Sequence, residues 1–228
     1  MKSICLIPAR GGSKRLPRKN VIDFMGKPII AYSIEAGLKS QLFERIVVST
    51  DDDEIADIAV RFGAEAEFRP PHLGSDTAKV VDVCVDYLYK QSKLGHSYDV
   101  LCCLLATAPL RRAEDIAATH ALIEPGLCEF SMAVTHYVHR PWAALKDIGG
   151  GILKPVWPEL INLRSQELPT PLVDNGSTYC VAVEAFLQHR VFYGPTLRGY
   201  CMPYARSIDI DDAEDLQQAR LNAAVLMK

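Results

Sequence analysis

The fold is decided by Ile4-Cys5-Leu6-Ile7-Pro8-Ala9-Arg10-Gly11-Gly12-Ser13-Lys14-Arg15-Leu16-Pro17-Arg18-Lys19-Asn20. Its apolar opening, Ile4 to Ile7, reads as a first β-strand, and the chain leaves that strand directly into a segment rich in glycine and positive charge. Gly11 and Gly12 lack Cβ and can take φ > 0, so their N–H groups can turn toward phosphate oxygens as a nest. Arg10, Lys14, Arg15, Arg18 and Lys19 supply five cations in ten residues. A basic, glycine-containing turn is often only a solvated loop. Position after the first strand and density of charge favour a polyphosphate site. No Gly-Lys-Ser/Thr closes it as in a Walker loop, and it is not Gly-x-Gly-x-x-Gly.

Working outward, 228 residues suffice for one large α/β domain, or one domain carrying a modest excursion, with a sizeable core. The net charge of −3 gives no global basic field for nucleic acid, so the basic loop is a local feature suited to a small anion. The apolar run before Pro8 is too short for a signal peptide and no stretch approaches membrane-spanning length, so a cytoplasmic protein with no membrane partner is expected. The seven cysteines lack C-x-x-C spacing. Cys5, Cys102, Cys103, Cys180 and Cys201 sit in apolar, strand-like runs and read as small core residues.

The remaining chain repeats strand, loop and helix. A helix is expected over 28–39, with Ile30, Ile34 and Leu38 at four-residue spacing. Arg45 to Thr50 reads as a strand, and Asp51, Asp52 and Asp53 read as the cap of a helix carrying Ile55, Ile58, Ala59 and Phe62. Another strand spans 64–68, then an irregular loop from Arg69 to Thr77 on the same edge as the basic loop, then a helix with Val81, Cys84, Val85 and Leu88. Tyr98 to Leu105 is a strand, Ala106 to Arg111 a loop, 113–123 a helix and Phe130 to Thr135 a strand. This alternation predicts a doubly wound, mostly parallel sheet, whose ligands bind outside the carboxyl ends of the strands.

The alternation breaks at 137–171, a proline-rich excursion with short strands at 142–146 and 152–156 joined by Gly149-Gly150-Gly151. Trp142 and Trp157, read as exposed on this hairpin, predict an apolar surface and self-association. Asp174-Asn175-Gly176 then reads as a turn into a strand, followed by helices at 184–190 and 213–227.

Ser207-Ile208-Asp209-Ile210-Asp211-Asp212 precedes that last helix. In an extended chain residues i and i+2 share a side, so Asp209 and Asp211 project together while Ile208 and Ile210 enter the core. Asp211 and Asp212 alone would read as a helix cap. Opposite a phosphate loop the Asp209/Asp211 pair reads as a site for Mg²⁺, which takes one or two carboxylates plus substrate phosphates. No Ser-His-Asp or Cys-His arrangement stands out, so nucleotidyl transfer by in-line attack, without a covalent intermediate, is the reaction class these residues fit.

The chain resembles the cytidylyltransferases that activate acidic sugars, the CMP-sialic, CMP-pseudaminic and CMP-legionaminic acid synthetases. The resemblance covers nearly the whole chain: the segment at 7–20, Gly-Lys-Pro at 26–28, Val-Ser-Thr-Asp-Asp at 48–52, Arg-Pro at 69–70, Ser-Asp-Thr at 75–77, Arg-Ser-Gln-Glu-Leu-Pro at 164–169, Asn-Gly-Ser-Thr-Tyr at 175–179 and Ile-Asp-Ile-Asp at 208–211. It implies a nucleotide-diphospho-sugar transferase-like fold in a single domain, and CTP plus a nine-carbon 2-keto sugar acid as substrates. The products would be the CMP-sugar and pyrophosphate, with Mg²⁺ held by Asp209 and Asp211. By this likeness Arg10, Gly11, Gly12, Ser13, Lys19 and Asn20 would contact CTP, with Arg69 and Ser75 near its base and ribose. Arg164, Gln166, Tyr179 and Thr107 would face the sugar acid. The excursion at 137–171 matches the family's dimerisation arm, which reaches over the partner's active site.

The chain departs from the sialic acid enzymes at Leu105, where they carry a glutamine. Ala106-Thr107-Ala108-Pro109 and Arg164-Ser165-Gln166 resemble the pseudaminic acid enzymes, whereas Asn175-Gly176-Ser177-Thr178-Tyr179 is closer to the sialic type. The balance favours pseudaminic acid, with sialic or legionaminic acid next. A CMP-KDO synthetase or a sugar-1-phosphate nucleotidyltransferase is the alternative enzyme, and a nucleotide-sensing module the non-enzyme alternative.

Overall fold

The computed structural model describes residues 1–75, 77–164 and 166–226. Asp76, Ser165 and the last position expected of the final helix, 227, lie outside the described residues. The first strand, β1 (Ser3–Pro8), ends at the basic loop, and a tight hairpin follows, β2 (Asp23–Phe24) with β3 (Lys27–Pro28). Then come α1 (Ile29–Ser40), β4 (Arg45–Thr50), α2 (Asp53–Arg61), β5 (Glu65–Phe68), α3 (Val80–Lys93), β6 (Val100–Leu104), α4 (Ala113–His120) and β7 (Phe130–His136). The excursion carries β8 (Leu145–Asp147) and β9 (Leu153–Pro155), and the chain closes with β10 (Leu172–Ala182), α5 (Val183–His189), β11 (Leu197–Cys201) and α6 (Ala213–Leu226).

Seven strands form the main sheet in the order β11-β7-β10-β6-β1-β4-β5. All its pairings are parallel except those of β10, which runs against both β6 and β7. Because strands bury both faces, their alternate residues feed two cores. Cys5, Ile7, Val48, Cys102 and Cys180 pack with Ile30 and Ile34 of α1, Ile55 and Ile58 of α2, and Ile116 of α4. On the other face Ile4, Leu6, Leu101, Cys103 and Val181 pack with Cys84 and Leu88 of α3 and Phe186 of α5. A third cluster joins Leu216, Ala219 and Ala223 of α6 to Phe24, Ile29, Leu110 and Ile210. The chain builds outward from β1 to β4 and β5, then returns to place β6 on β1's other side, so the loops leaving β1 and β6 flank the switch point where such sheets bind ligands.

Three expectations need correcting. Asp174-Asn175-Gly176 is no turn: it lies inside β10 as a bulge. Between the pairs Asp174↔Val134 and Tyr179↔Met132, β10 advances five residues against two on β7, and Gly176 has φ +64°. The extra residues bend the strand and re-aim its side chains. Second, Cys201, read in a strand-like run, does end a strand, β11, but it is exposed rather than a core residue; the other six cysteines are buried. Third, Trp142 and Trp157 are half-buried against each other, edge to face at 5.4 Å, and the Trp142 indole donates to the Pro169 carbonyl. The apolar surface of the 137–171 excursion is instead aliphatic: Leu145, Ile148, Ile152, Leu153 and Val156 are exposed. Its glycine turn is as expected, with Gly149, Gly150 and Gly151 all left-handed.

Candidate active site

Two neighbouring clefts open at the carboxyl ends of β1 and β6. The first, about 360 Å³, is lined by Arg10, Gly12, Ser13, Lys14, Arg15, Lys19, Asn20 and Asp211. Asn20 is buried and its amide donates to the Arg10 carbonyl at 2.8 Å, which closes the loop on itself. Arg10 donates to the Ser75 carbonyl at 3.2 Å, tying the basic loop to the loop after β5.

The glycines act differently from the nest expected. Neither Gly11 nor Gly12 is left-handed; among non-glycine residues of this segment Arg18 is, at φ 57°. Gly11 is required by close approach, since a Cβ there would sit 2.3 Å from Asp52 Oδ2, whereas a Cβ on Gly12 meets nothing within 4 Å. The Gly11 N–H is engaged by Asp51 Oδ1 at 3.0 Å. The acidic triplet therefore splits its work. Asp52 caps α2 by accepting the Ile55 N–H and also holds Arg18, while Asp51 braces the basic loop. Arg18, paired with Asp52 and Glu54, is thus committed to α2 rather than to the cleft.

Arg69, expected near the nucleotide, is almost fully buried 3.6 Å from Asp51, and its Nε and Nη2 have no hydrogen-bond partner. Buried guanidinium donors left unfilled are costly, and this is the kind of group a ligand satisfies. Ser75 is exposed on the same loop.

The second cleft, about 640 Å³, is lined by Leu105, Tyr137, Val138, Asp174, Gly176, Tyr179, Tyr193 and Asp209 among others. Asp209 and Asp211 thus stand on the boundary, one lining each cleft. Ile210 between them is fully buried and Ile208 partly so, as the alternation requires. Asp211 accepts from Lys19 at 2.7 Å and Arg15 at 2.6 Å. Burial pushes its carboxyl up, but those two cations outweigh burial and hold it below the ordinary carboxylate range. Asp212, not Asp211, caps α6, accepting the Glu214 and Asp215 N–H groups.

Asp209 is the opposite case. Burial raises its pKa, and repulsion from Asp211 adds to that, against the hydrogen bond from Thr107 Oγ1 at 2.5 Å. Thr107 also accepts the Ile210 N–H through its carbonyl, so it anchors the acidic segment. Gly176 presses on the same carboxylate: a Cβ there would lie 2.6 Å from Asp209 Oδ2. A divalent cation fits this pair, because it would relieve the crowding of two neighbouring carboxylates. Among the described residues no group of three or more acidic, His or Cys side chains forms an all-protein cage. A pair of carboxylates completed by phosphate oxygens is the arrangement that suits Mg²⁺.

Of the remaining expected residues, Tyr179 is buried in the second cleft. Arg164 and Gln166 are not gathered there: both are exposed on the 137–171 excursion, and the Arg164 N–H is held by Glu167.

A family model described as cytidylyltransferase matches residues 4–126, which span β1, the basic loop and β6. Over 225 residues, 97% of this chain and 96% of the relative, the sequence is 36% identical to a pseudaminic acid cytidylyltransferase of Campylobacter jejuni. The chain belongs to the cytidylyltransferase family. The cytidylyltransferase is also 35% identical to a CMP-N,N'-diacetyllegionaminic acid synthase of Legionella pneumophila, over 94% of this chain and 93% of that one. In fold it matches a CMP:2-keto-3-deoxy-manno-octonic acid synthetase solved with CTP, at TM-score 0.71 and 19% identity over 99% of this chain and all of that one. Both the resemblance drawn from the motifs and the enzyme class, nucleotidyltransferase, are borne out.

Four residues of this cytidylyltransferase's site were not singled out by sequence for the roles they take. Asp51 and Arg15 were read only as a cap and a generic cation. Arg111, almost fully buried, donates to the Ser177 carbonyl at 2.5 Å and so pins the β10 bulge from behind. Asp174 was read as part of a turn, and the bulge instead brings it into the second cleft.

Proposed function

We propose that the enzyme joins CTP to a nine-carbon 2-keto sugar acid, pseudaminic acid for preference, giving the CMP-sugar and pyrophosphate. The observation that carries this reading is the position of Asp209 and Asp211 at the boundary between a cationic cleft and a larger aromatic one. The triphosphate occupies the first, where Arg10, Ser13, Arg15 and Lys19 face its oxygens; Arg69 offers its unfilled donors to the base or ribose. The sugar acid occupies the second.

In this geometry the anomeric hydroxyl oxygen of the sugar acid forms a bond to the α-phosphorus as the bond to the bridging oxygen of the β-phosphate breaks. The hydroxyl proton passes to solvent water and pyrophosphate departs. Lys19 and Arg15 stabilise negative charge developing on the phosphate oxygens, the electrostatic contribution that dominates such transfers. Asp209 and Asp211 would hold Mg²⁺, which when bound supplies charge neutralisation between the phosphates. Thr107 acts through Asp209 and keeps it in place.

The similarity to the pseudaminic and legionaminic relatives supports a nonulosonic acid acceptor, and Leu105 with Ala106-Thr107-Ala108-Pro109 supports the pseudaminic one. A homodimer through residues 137–171 is part of the reading: its exposed Leu145, Ile148, Ile152, Leu153 and Val156 need cover, and Arg164 and Gln166 would then reach the partner's sugar cleft. A cytoplasmic enzyme is part of the same reading, supported by CTP as its substrate.

The test is pyrophosphate release with CTP and Mg²⁺ against pseudaminic, legionaminic, N-acetylneuraminic and KDO acids. Turnover greatest with pseudaminic acid is expected. Turnover with KDO alone would transfer the enzyme to the alternative acceptor, and CTP binding without turnover on any acid would favour a nucleotide-sensing role.

A further inference from the structure

The β10 bulge builds a feature that phosphate transfer does not use. Asp174 Oδ2 accepts from the Tyr179 hydroxyl at 2.8 Å and the Tyr193 hydroxyl at 2.6 Å, while Oδ1 accepts the Gly176 N–H at 2.9 Å. All four residues line the aromatic cleft. The cluster is held rigidly. Asn175 is buried, donates to Ser207 and accepts the Ser177 N–H and hydroxyl, and Arg111 holds the Ser177 carbonyl.

The hydrogen-bond count then fixes what this wall can offer. A carboxylate has about four acceptor positions. Three are filled here, which leaves one on Oδ1. Each phenol has given its single proton to Asp174, so each oxygen has only lone pairs left for a ligand. Burial and the Asp174 charge raise both phenol pKa values, that of Tyr193 up to about 12, so the protons stay on the phenols at working pH. The wall is therefore all acceptor and negatively charged. It takes a donor and repels an anion.

Given that the cleft receives the sugar acid, we propose that Asp174 is a specificity-determining residue that accepts the N–H of an acylamido substituent on the sugar and turns the sugar's carboxylate toward the opposite side of the cleft. An amide N–H matches better than a hydroxyl, because the acyl group beside it needs apolar contact and Val138, Val173 and Tyr137 line the same cleft. A hydroxyl in that place would leave this apolar lining uncovered.

The experiment compares the unsubstituted enzyme, Asp174→Asn and Tyr193→Phe by pyrophosphate release. The two acceptors are an acylamido-bearing nine-carbon 2-keto sugar acid and its counterpart with hydroxyls in place of the acylamido groups. Asn presents an N–H to the incoming N–H if its amide keeps the two phenol bonds through oxygen. The expected result is a fall of about 10- to 100-fold in kcat/KM for the acylamido acid, carried mainly by KM, as for loss of a hydrogen bond to a charged group. The KM for CTP stays unchanged, and the preference for the acylamido acid over its hydroxyl counterpart shrinks. Tyr193→Phe, on an exposed side chain, shifts the preference the same way by a smaller factor and gives the readout if Asp174→Asn does not fold. An unchanged preference in both variants overturns the role of Asp174 while leaving the reaction intact. No turnover of either acid by the unsubstituted enzyme overturns the assignment of the cleft, and this proposal with it.

Discussion

Lys19 and Asp211, 192 residues apart in the chain, are joined at 2.7 Å inside the basic cleft, which both line. The pair links the loop after β1 to the segment before α6, so without nucleotide a principal cation of the site is neutralised by its own acidic partner. Arg15 sits on the same carboxylate. In the proposed reading a triphosphate entering the cleft would compete with Asp211 for these cations, and a divalent ion would compete with them for Asp211. Ligand and metal would then exchange for an internal ion pair, without exposing bare charge.

Replacing Lys19 with Met removes the more buried of the two cations that pair with Asp211 and that the proposed reading turns toward the phosphates. Steady-state kinetics should show kcat reduced about 10²- to 10³-fold, the usual effect of removing one electrostatic donor from a transition state. Unchanged kcat would place the phosphates elsewhere.

Thr107→Val keeps shape and removes the hydroxyl that donates to Asp209. Asp209 is already raised by burial, and Thr107 opposes that rise. Without the hydroxyl the carboxyl should go higher still, so the acidic limb of the kcat/KM profile moves to higher pH, and Thr107→Ser should restore it. A profile that does not move would show that Thr107 is structural only.

Gly11→Ala and Gly12→Ala form a matched pair. The first drives a methyl into Asp52, the cap of α2, and should cost about 1–2 kcal/mol in denaturant unfolding. The second points into open space and should stay within about 0.5 kcal/mol of the unsubstituted protein. Equal losses would mean that the loop is rigid for another reason.

His120 tests the linkage of charge to folding. Burial, then the charge of the chain's N-terminal amine, lowers its pKa, and its Nε2 lies 2.8 Å from the Ser3 hydroxyl. A lowered histidine pKa means the unfolded chain takes up the proton first. Its stabilising effect is therefore full above the ordinary value near 6.5 and is lost as pH falls below it. Denaturant midpoints should drop less steeply below that pH in His120→Gln than in the unsubstituted protein.

Much of this was legible because it is local. Alternating apolar strands and helical spacing located the parallel core, and the charge of the loop after β1 marked a cationic cleft at its carboxyl end. The bulge was not legible, because Asp-Asn-Gly carries the same left-handed signal in a turn and inside a strand. Cys201 was placed in a strand-like run but wrongly read as core, because an edge strand whose residues are mostly exposed has no apolar alternation to show its face or its extent. Asp51 looked like a cap because its partner, Gly11, is 40 residues away. Gly11 itself was read for its freedom of φ, whereas what it supplies is space for Asp52. The two tryptophans were recognised as belonging to an unusual excursion, yet sequence could not show that each would cover the other.

The most direct measurement is CTP binding by calorimetry without divalent ion, set beside pyrophosphate release with Mg²⁺, for Asp211→Asn. If Asp211 is the internal competitor for Lys19 and Arg15 as well as a metal ligand, the variant binds CTP at least as tightly as the unsubstituted enzyme and loses turnover. Turnover at the unsubstituted rate would contradict the account.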